Sequence, residues 1–169
     1  MVYIATDHNG FEIKQAILAH FRDTDVVHYD VGPFELHPED DYPLYAIELC
    51  QFVIEHPGSK GVLICGTGGG MCITANKMRG IRAAEAATPE EAILIRQHND
   101  ANVLILAKMD YNHDKAMLII EAFLNTEFTG EERHVRRIKQ ISDYEITHNT
   151  TEEEKITNGD TPSDINNQL

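Results

Sequence analysis

Short apolar runs alternate with longer amphipathic segments from Val2 to Tyr144, and this alternation limits the fold more than any other feature of the chain. The runs Val2 to Thr6, Val26 to Val31, Gly61 to Cys65, Ile81 to Ala86 and Asn102 to Ala107 are nearly continuous in apolar residues, as strands covered on both faces require. Between and after them lie expected helices over about Gly10 to Arg22, Pro43 to Glu55, Gly69 to Met78, Pro89 to Gln97, His113 to Asn125 and Glu131 to Tyr144. Strands that alternate with crossover helices build an α/β domain, here with one five-stranded parallel sheet. The clearest boundary is Thr88-Pro89-Glu90-Glu91, where Thr88 can cap, Pro89 suits the first turn and Glu91 can return a capping bond.

In an open parallel sheet, ligands collect beyond the carboxyl ends of the strands. The loops opening at Asp7, Gly32, Cys65, Thr88 and Lys108 are therefore the places to look for chemistry. The segment Gly61-Val62-Leu63-Ile64-Cys65-Gly66-Thr67-Gly68-Gly69-Gly70-Met71 runs from a buried strand through a glycine turn into a helix. Such a loop lets backbone N–H groups converge on an anion, aided by the positive end of the helix dipole. Met71 stands where a dinucleotide fingerprint needs glycine, and no Gly-Lys-Ser/Thr completes a nucleotide phosphate loop. The same glycines also serve a tight strand-to-helix turn, and the loop alone leaves both readings open.

Cys65 closes the strand at the mouth of this loop, where a helix N-terminus favours thiolate and so a base that can take a proton. Cys50 and Cys72 read as small buried hydrophobes. Three cysteines without C-x-x-C spacing suggest neither a disulfide framework nor a zinc site. Twenty-eight acids against fourteen Lys and Arg give a net charge of −14, which repels phosphate backbones and anionic membranes, so nucleic acid and membrane are not expected partners. No apolar run nears the roughly 18 residues that cross a bilayer and no basic leader precedes the first strand, so the expected setting is cytoplasmic.

Asp7, His8 and Tyr42 follow the first two strands and share the rim with Cys65, though Asp7 is equally suited to cap a helix. His98 and Asn99 lie between the fourth helix and the fifth strand, at the opposite edge of the sheet if the alternation holds; a His98 set at the helix C-terminus also fits the dipole. Arg133 and Arg137, four apart, share one face of the last helix and can clamp one phosphate or simply meet solvent. From Ile146 to Leu169 the chain carries five acids and few large apolar groups, and reads as a disordered acidic tail after a domain spanning 1–145.

TDHNGF (6–11), DYPLYA (41–46), GVLICGTGGGMCITANK (61–77), GIRAA (80–84), HNDANVL (98–104) and ERHVRRI (132–138) together resemble the type B ribose-5-phosphate isomerases, within the sugar-phosphate isomerases that also include allose- and galactose-6-phosphate isomerases. The resemblance implies a Rossmann-like three-layer αβα sandwich and a homodimer with active sites built across its interface, with a tetramer as the alternative assembly. It implies a phosphorylated sugar as substrate and aldose–ketose interconversion through a cis-enediolate, without metal or organic cofactor. Cys65 would then be the general base, and the amides of Gly66, Gly68, Gly69 and Gly70 would meet the enediolate oxygen. Thr67 would relay or donate a proton, His98 assist ring opening, Asp7 and Tyr42 orient hydroxyls, and Asn99 hydrogen-bond the substrate. His8, Arg133 and Arg137 would hold the phosphate.

The chain departs from the family pattern at Met109, where Arg is common, at Met71-Cys72, and at Glu85-Ala86-Ala87. Lys108 beside Met109 should point to the other face if the backbone stays extended. These departures keep two alternatives in view, a 6-phosphate hexose isomerase and a catalytically silent phosphosugar-binding protein.

Overall fold

The computed structural model describes residues 1–110 and 112–148. Five strands, β1 (Val2–Thr6), β2 (His28–Gly32), β3 (Lys60–Cys65), β4 (Ala83–Glu85) and β5 (Val103–Ala107), form one all-parallel sheet in the order β2-β1-β3-β5-β4. Interleaved helices are α1 (Phe11–Asp23), α2 (Tyr42–Glu55), α3 (Gly69–Ala75), α4 (Pro89–Asn99) and α5 (His113–Asn125); α6 (Glu132–His148) follows. Residues Met1–Gly130 make one compact unit, and α6 belongs to a second that begins at Glu131.

Strand side chains alternate between two cores, as the pleat dictates. Val2, Ile4, Val62, Ile64, Leu104 and Leu106 pack with Ile17 and Phe21 of α1, Ala92 of α4 and Ile119, Ile120 and Phe123 of α5. Tyr3, Ala5, Leu63, Cys65, Val103 and Ile105 pack with Leu49, Cys50 and Val53 of α2 and Met71 and Ala75 of α3. The result is the expected three-layer α/β sandwich, with Cys65 pointing to the α2 and α3 side.

Several boundaries differ from expectation for identifiable reasons. β2 begins at His28, because Val26 N–H is taken by Phe21 O (3.0 Å) as the chain leaves α1. β4 has only three residues, since Ile81 N–H turns back to Met78 O (3.1 Å) and the strand, at the sheet edge, pairs with β5 alone. At α4, Thr88 Oγ1 accepts from Glu91 N–H (3.2 Å), while Glu91 Oε2 accepts from Ala87 N–H (2.6 Å), one residue before the cap. α6 continues to His148, past the expected start of the tail at Ile146; residues 149–169 lie outside the described residues.

Lys14 is a cation with no exposed surface, donating from Nζ to Asp30 Oδ1 and to Pro33 O, both at 2.7 Å. Its ammonium also sits 5.7 and 5.9 Å from the Phe11 and Phe34 ring centres. It ties α1 to the segment that leaves β2 toward the site.

Burial pushes the Cys50 thiol from 9.0 up to about 12. Above the ordinary thiol pKa the unfolded chain ionises first, so between these values Cys50 should lower stability by about 1.4 kcal/mol per pH unit. Urea unfolding of wild type and Cys50→Ala at neutral and alkaline pH checks this: the wild type should lose more stability on alkalinisation than the variant.

Candidate active site

β1, β3 and β5 run in register, with Thr6 beside Ile64 and Cys65 beside Ala107, so their carboxyl ends open on one rim. Cys65 lies there at the end of the central strand, 4% exposed, with Sγ accepting from Gly68 N–H at 3.2 Å. Gly68 makes this possible through a backbone φ of 80°, open to glycine and rarely to other residues. Across the turn stands Glu85, whose Oε1 would lie 3.1 Å from a Cβ on Gly68.

The thiol is not poised as expected. Burial raises Cys65 above its ordinary value and the Asp7 charge raises it further, while backbone N–H groups of Met71, Gly68 and Thr67 pull it back. The sequence shows the N–H groups but not the loss of water around the sulfur, and the loss of water prevails. What the loop provides is a set of donors already aimed at an anion, which would lower the cost of the thiolate when it forms.

Asp7 both caps and lines the site. Its Oδ1 accepts from Asn9 N–H (2.9 Å) and Gly10 N–H (3.4 Å), capping a single 3-10 turn over His8–Gly10. It is 4% exposed and close enough to Cys65 to act on the thiol. His8 is held by Asp40, and Asn9 lies against Gly66, whose Cβ would be 3.5 Å from the Asn9 amide. Neither Asp40 nor Asn9 was singled out from the sequence: Asp40 is one of three consecutive acids in Glu39-Asp40-Asp41, and nothing local marks which one turns inward.

Tyr42 opens α2 with its ring over Gly70, where a Cβ would stand 2.6 Å from Cζ. Thr67 is exposed at the turn, and Gly69 and Gly70 begin α3 half-buried. Gly70→Ala should therefore destabilise the fold by about 1–3 kcal/mol, as overpacking does. A double-mutant cycle with Tyr42→Ala under urea checks it, since removing the ring should relieve most of the loss.

After β5 the chain is not extended. Lys108–Asp110 form a 3-10 turn, and Met109 N–H donates to Gly66 O (3.3 Å), so the alternation assumed for Lys108 does not apply. Both Lys108 and Met109 are exposed.

α4 carries His98 and Asn99 away from this rim. Asn99 O accepts from Arg82 Nε–H (3.0 Å) beside the start of β4, at the amino end of the sheet. Within Met1–Gly130, then, Cys65, Thr67, Asp7, His8, Tyr42 and Gly66 to Gly70 share one rim, and His98 and Asn99 lie at the opposite end. Arg133 and Arg137 lie exposed on α6, and Arg133 Nε donates to Glu131 Oε2 at 2.8 Å. Hollows of about 440 Å³ also open at the amino end, one bordered by His20, Lys60 and Glu121, another by Arg82, Arg96 and Asp100; none of the candidate residues lines them. No described helix is long and apolar enough to cross a membrane.

Residues 2–141 match the family described as ribose/galactose isomerase. A probable ribose-5-phosphate isomerase B of Mycoplasma pneumoniae is 44% identical over 144 residues, covering 85% of this chain and 94% of its own. Ribose-5-phosphate isomerase B of Mycolicibacterium paratuberculosis is 37% identical over 147 residues, covering 87% of this chain and 92% of its own. A crystal structure of ribose-5-phosphate isomerase B from Mycoplasma genitalium with bound ribulose 5-phosphate superposes with a TM-score of 0.82 at 38% identity, covering 86% of this chain and 95% of that one.

Proposed function

This chain belongs to the ribose/galactose isomerase family, and on that premise we propose that it interconverts D-ribose 5-phosphate and D-ribulose 5-phosphate with Cys65 as general base. The observation that carries the reading is the Cys65 sulfur at the carboxyl end of the central strand, accepting from the glycine loop beside Asp7. In the open aldose, Cys65 takes the proton from C2, the electron pair moves to form a cis-enediolate, and protonation at C1 gives the ketose. Amides of Gly66 to Gly70 meet the developing oxygen charge with donors placed in advance, where electrostatic stabilisation is most effective. Thr67, exposed beside the sulfur, relays the proton between the two oxygens. Tyr42 and Asp7 orient hydroxyls, and His8 meets the phosphate.

His98 and Asn99 serve this rim only from a second copy of the chain, and that is the reading we adopt: a homodimer in which His98 of each subunit assists ring opening at the other's site. Large apolar side chains exposed on α2 and α3, Leu44 (66%) and Ile73 (65%), support a covered face there. In this reading Arg133 and Arg137 bind phosphate, 1–145 is the catalytic domain, the acidic segment from 146 onward lies outside it, and the setting is cytoplasmic.

Met109 favours keeping the 6-phosphate hexoses as the second reading. Turnover of ribose 5-phosphate, allose 6-phosphate and galactose 6-phosphate, compared by kcat/KM, decides between them, because discrimination is expressed in that ratio. Ribose 5-phosphate should lead; a hexose phosphate in first place would overturn the substrate assignment.

A further inference from the structure

The His8 ring is gripped on one side and occupied on the other. On the first side, Asp40 Oδ1 accepts from both His8 N–H (3.1 Å) and ring Nδ1 (2.7 Å), so one carboxylate oxygen fixes backbone and side chain together. The Asp40 side chain is 6% exposed while the ring is 35% exposed, which places the carboxylate behind the ring and the other edge toward solvent. Behind the ring Asp40 also faces Tyr45, whose phenol is raised first by its own burial and then by the charge of Asp40 and a side-chain hydrogen bond to it. A buried carboxylate draws positive charge onto the ring it touches.

On the other side, Asn9 Nδ2 lies 2.9 Å from His8 Nε2 and 3.2 Å from Asp7 Oδ2. A carboxylate accepts only, so the amide turns its N–H groups toward Asp7 and offers its second hydrogen to Nε2, which must then accept. With these neighbours, Asp40 at Nδ1 and Asn9 at Nε2, the ring is neutral with its proton on Nδ1, an assignment made from the contacts. A phosphate oxygen needs the reverse at Nε2, a donor with Asn9 out of the way.

From this arrangement we propose that Asp40 is a positioning residue for phosphate binding: it presents His8 so that Nε2 faces the sugar phosphate, with Asn9 holding that nitrogen until phosphate displaces it and the ring takes up a proton. The proposal rests on the reading of His8 as a phosphate contact. Three acids face the ring, Asp40 behind it, Asp7 on the turn and Glu39 before α2, and all favour its charged form, the Asp40 hydrogen bond most. Charging His8 therefore has support already built in, and the buried carboxylate is the counter-ion that remains after Asn9 leaves.

The full chain labelled with ¹⁵N-histidine tests this by titrating His8 with and without inorganic phosphate, alongside ribose 5-phosphate kinetics from acid to alkaline pH. In the wild type, phosphate should move the His8 midpoint upward. In Asp40→Asn the midpoint should fall, and KM at neutral pH should rise about tenfold with a smaller change in kcat, the loss of one charge-assisted hydrogen bond. That gap should close at acid pH, where both rings are charged, and Asp40→Glu should recover part of it. A wild-type midpoint indifferent to phosphate, an unmoved midpoint in Asp40→Asn, or a fall in kcat with KM unchanged would each overturn the proposal. The wild-type titration needs no variant to fold. Should the wild type bind phosphate through His8 yet turn over no sugar phosphate, the isomerase reading fails while the role of Asp40 stands.

Discussion

Cys65→Ala should lower kcat/KM for ribose 5-phosphate by about 10²–10⁴, the range that a positioned acid or base contributes. The substitution leaves the glycine loop and its donors in place, so the fold and phosphate affinity should survive while the chemistry stops. Removing the sulfur costs only a small buried group at the end of β3, where Cys65 packs at the edge of the α2 and α3 core. The raised thiol adds a second signature. Only the thiolate takes the proton, and burial keeps that fraction small in the free enzyme, so wild-type kcat/KM should climb with pH across the neutral range into the alkaline. Steady-state rates over that range check both points. A variant with wild-type turnover would remove Cys65 as base.

Lys14→Ala should be the most destabilising change near the site, by about 3 kcal/mol. It strips a fully buried cation from Asp30 and Pro33 O and leaves the Asp30 carboxylate with only the Gly32 N–H at 2.9 Å for its Oδ1 among the described residues. Asp30 keeps 23% side-chain exposure, and water there limits the loss to the lower end of what broken buried pairs cost. Urea unfolding should show a lower midpoint at unchanged slope. Lys14→Met, which keeps the volume, should fall between variant and wild type. Because the same ammonium pins the segment that leads from β2 to Asp40 and Tyr42, KM should rise along with the loss of stability. A Lys14→Ala protein as stable as wild type would show that the buried ion pair contributes nothing net.

The buried strands were legible because parallel strands covered on both faces must be apolar nearly throughout, as Gly61 to Cys65 and Val103 to Ala107 are. Edges were not: β4 ends where its only neighbour β5 stops pairing, a fact of tertiary position rather than of the residues in Ile81 to Ala86. In the site, the glycine loop announced itself through four glycines in a short stretch. Asp40 did not, since its partner His8 lies 32 residues away and three acids in a row offer the same chemistry. The thiol illustrates the same limit. Helix-terminal N–H groups can be inferred from sequence, but whether water reaches the sulfur depends on how α2, α3 and the sheet close around it, and that closure reversed the expected direction.

On this mechanism Cys65 moves a proton at carbon. Incubating wild type and Cys65→Ala with ribose 5-phosphate in D₂O, and following the carbon-bound proton beside the carbonyl by NMR, measures that step itself. Deuterium should enter at that carbon with the wild type and should be lost with Cys65→Ala. Deuterium entering equally fast in both would contradict it.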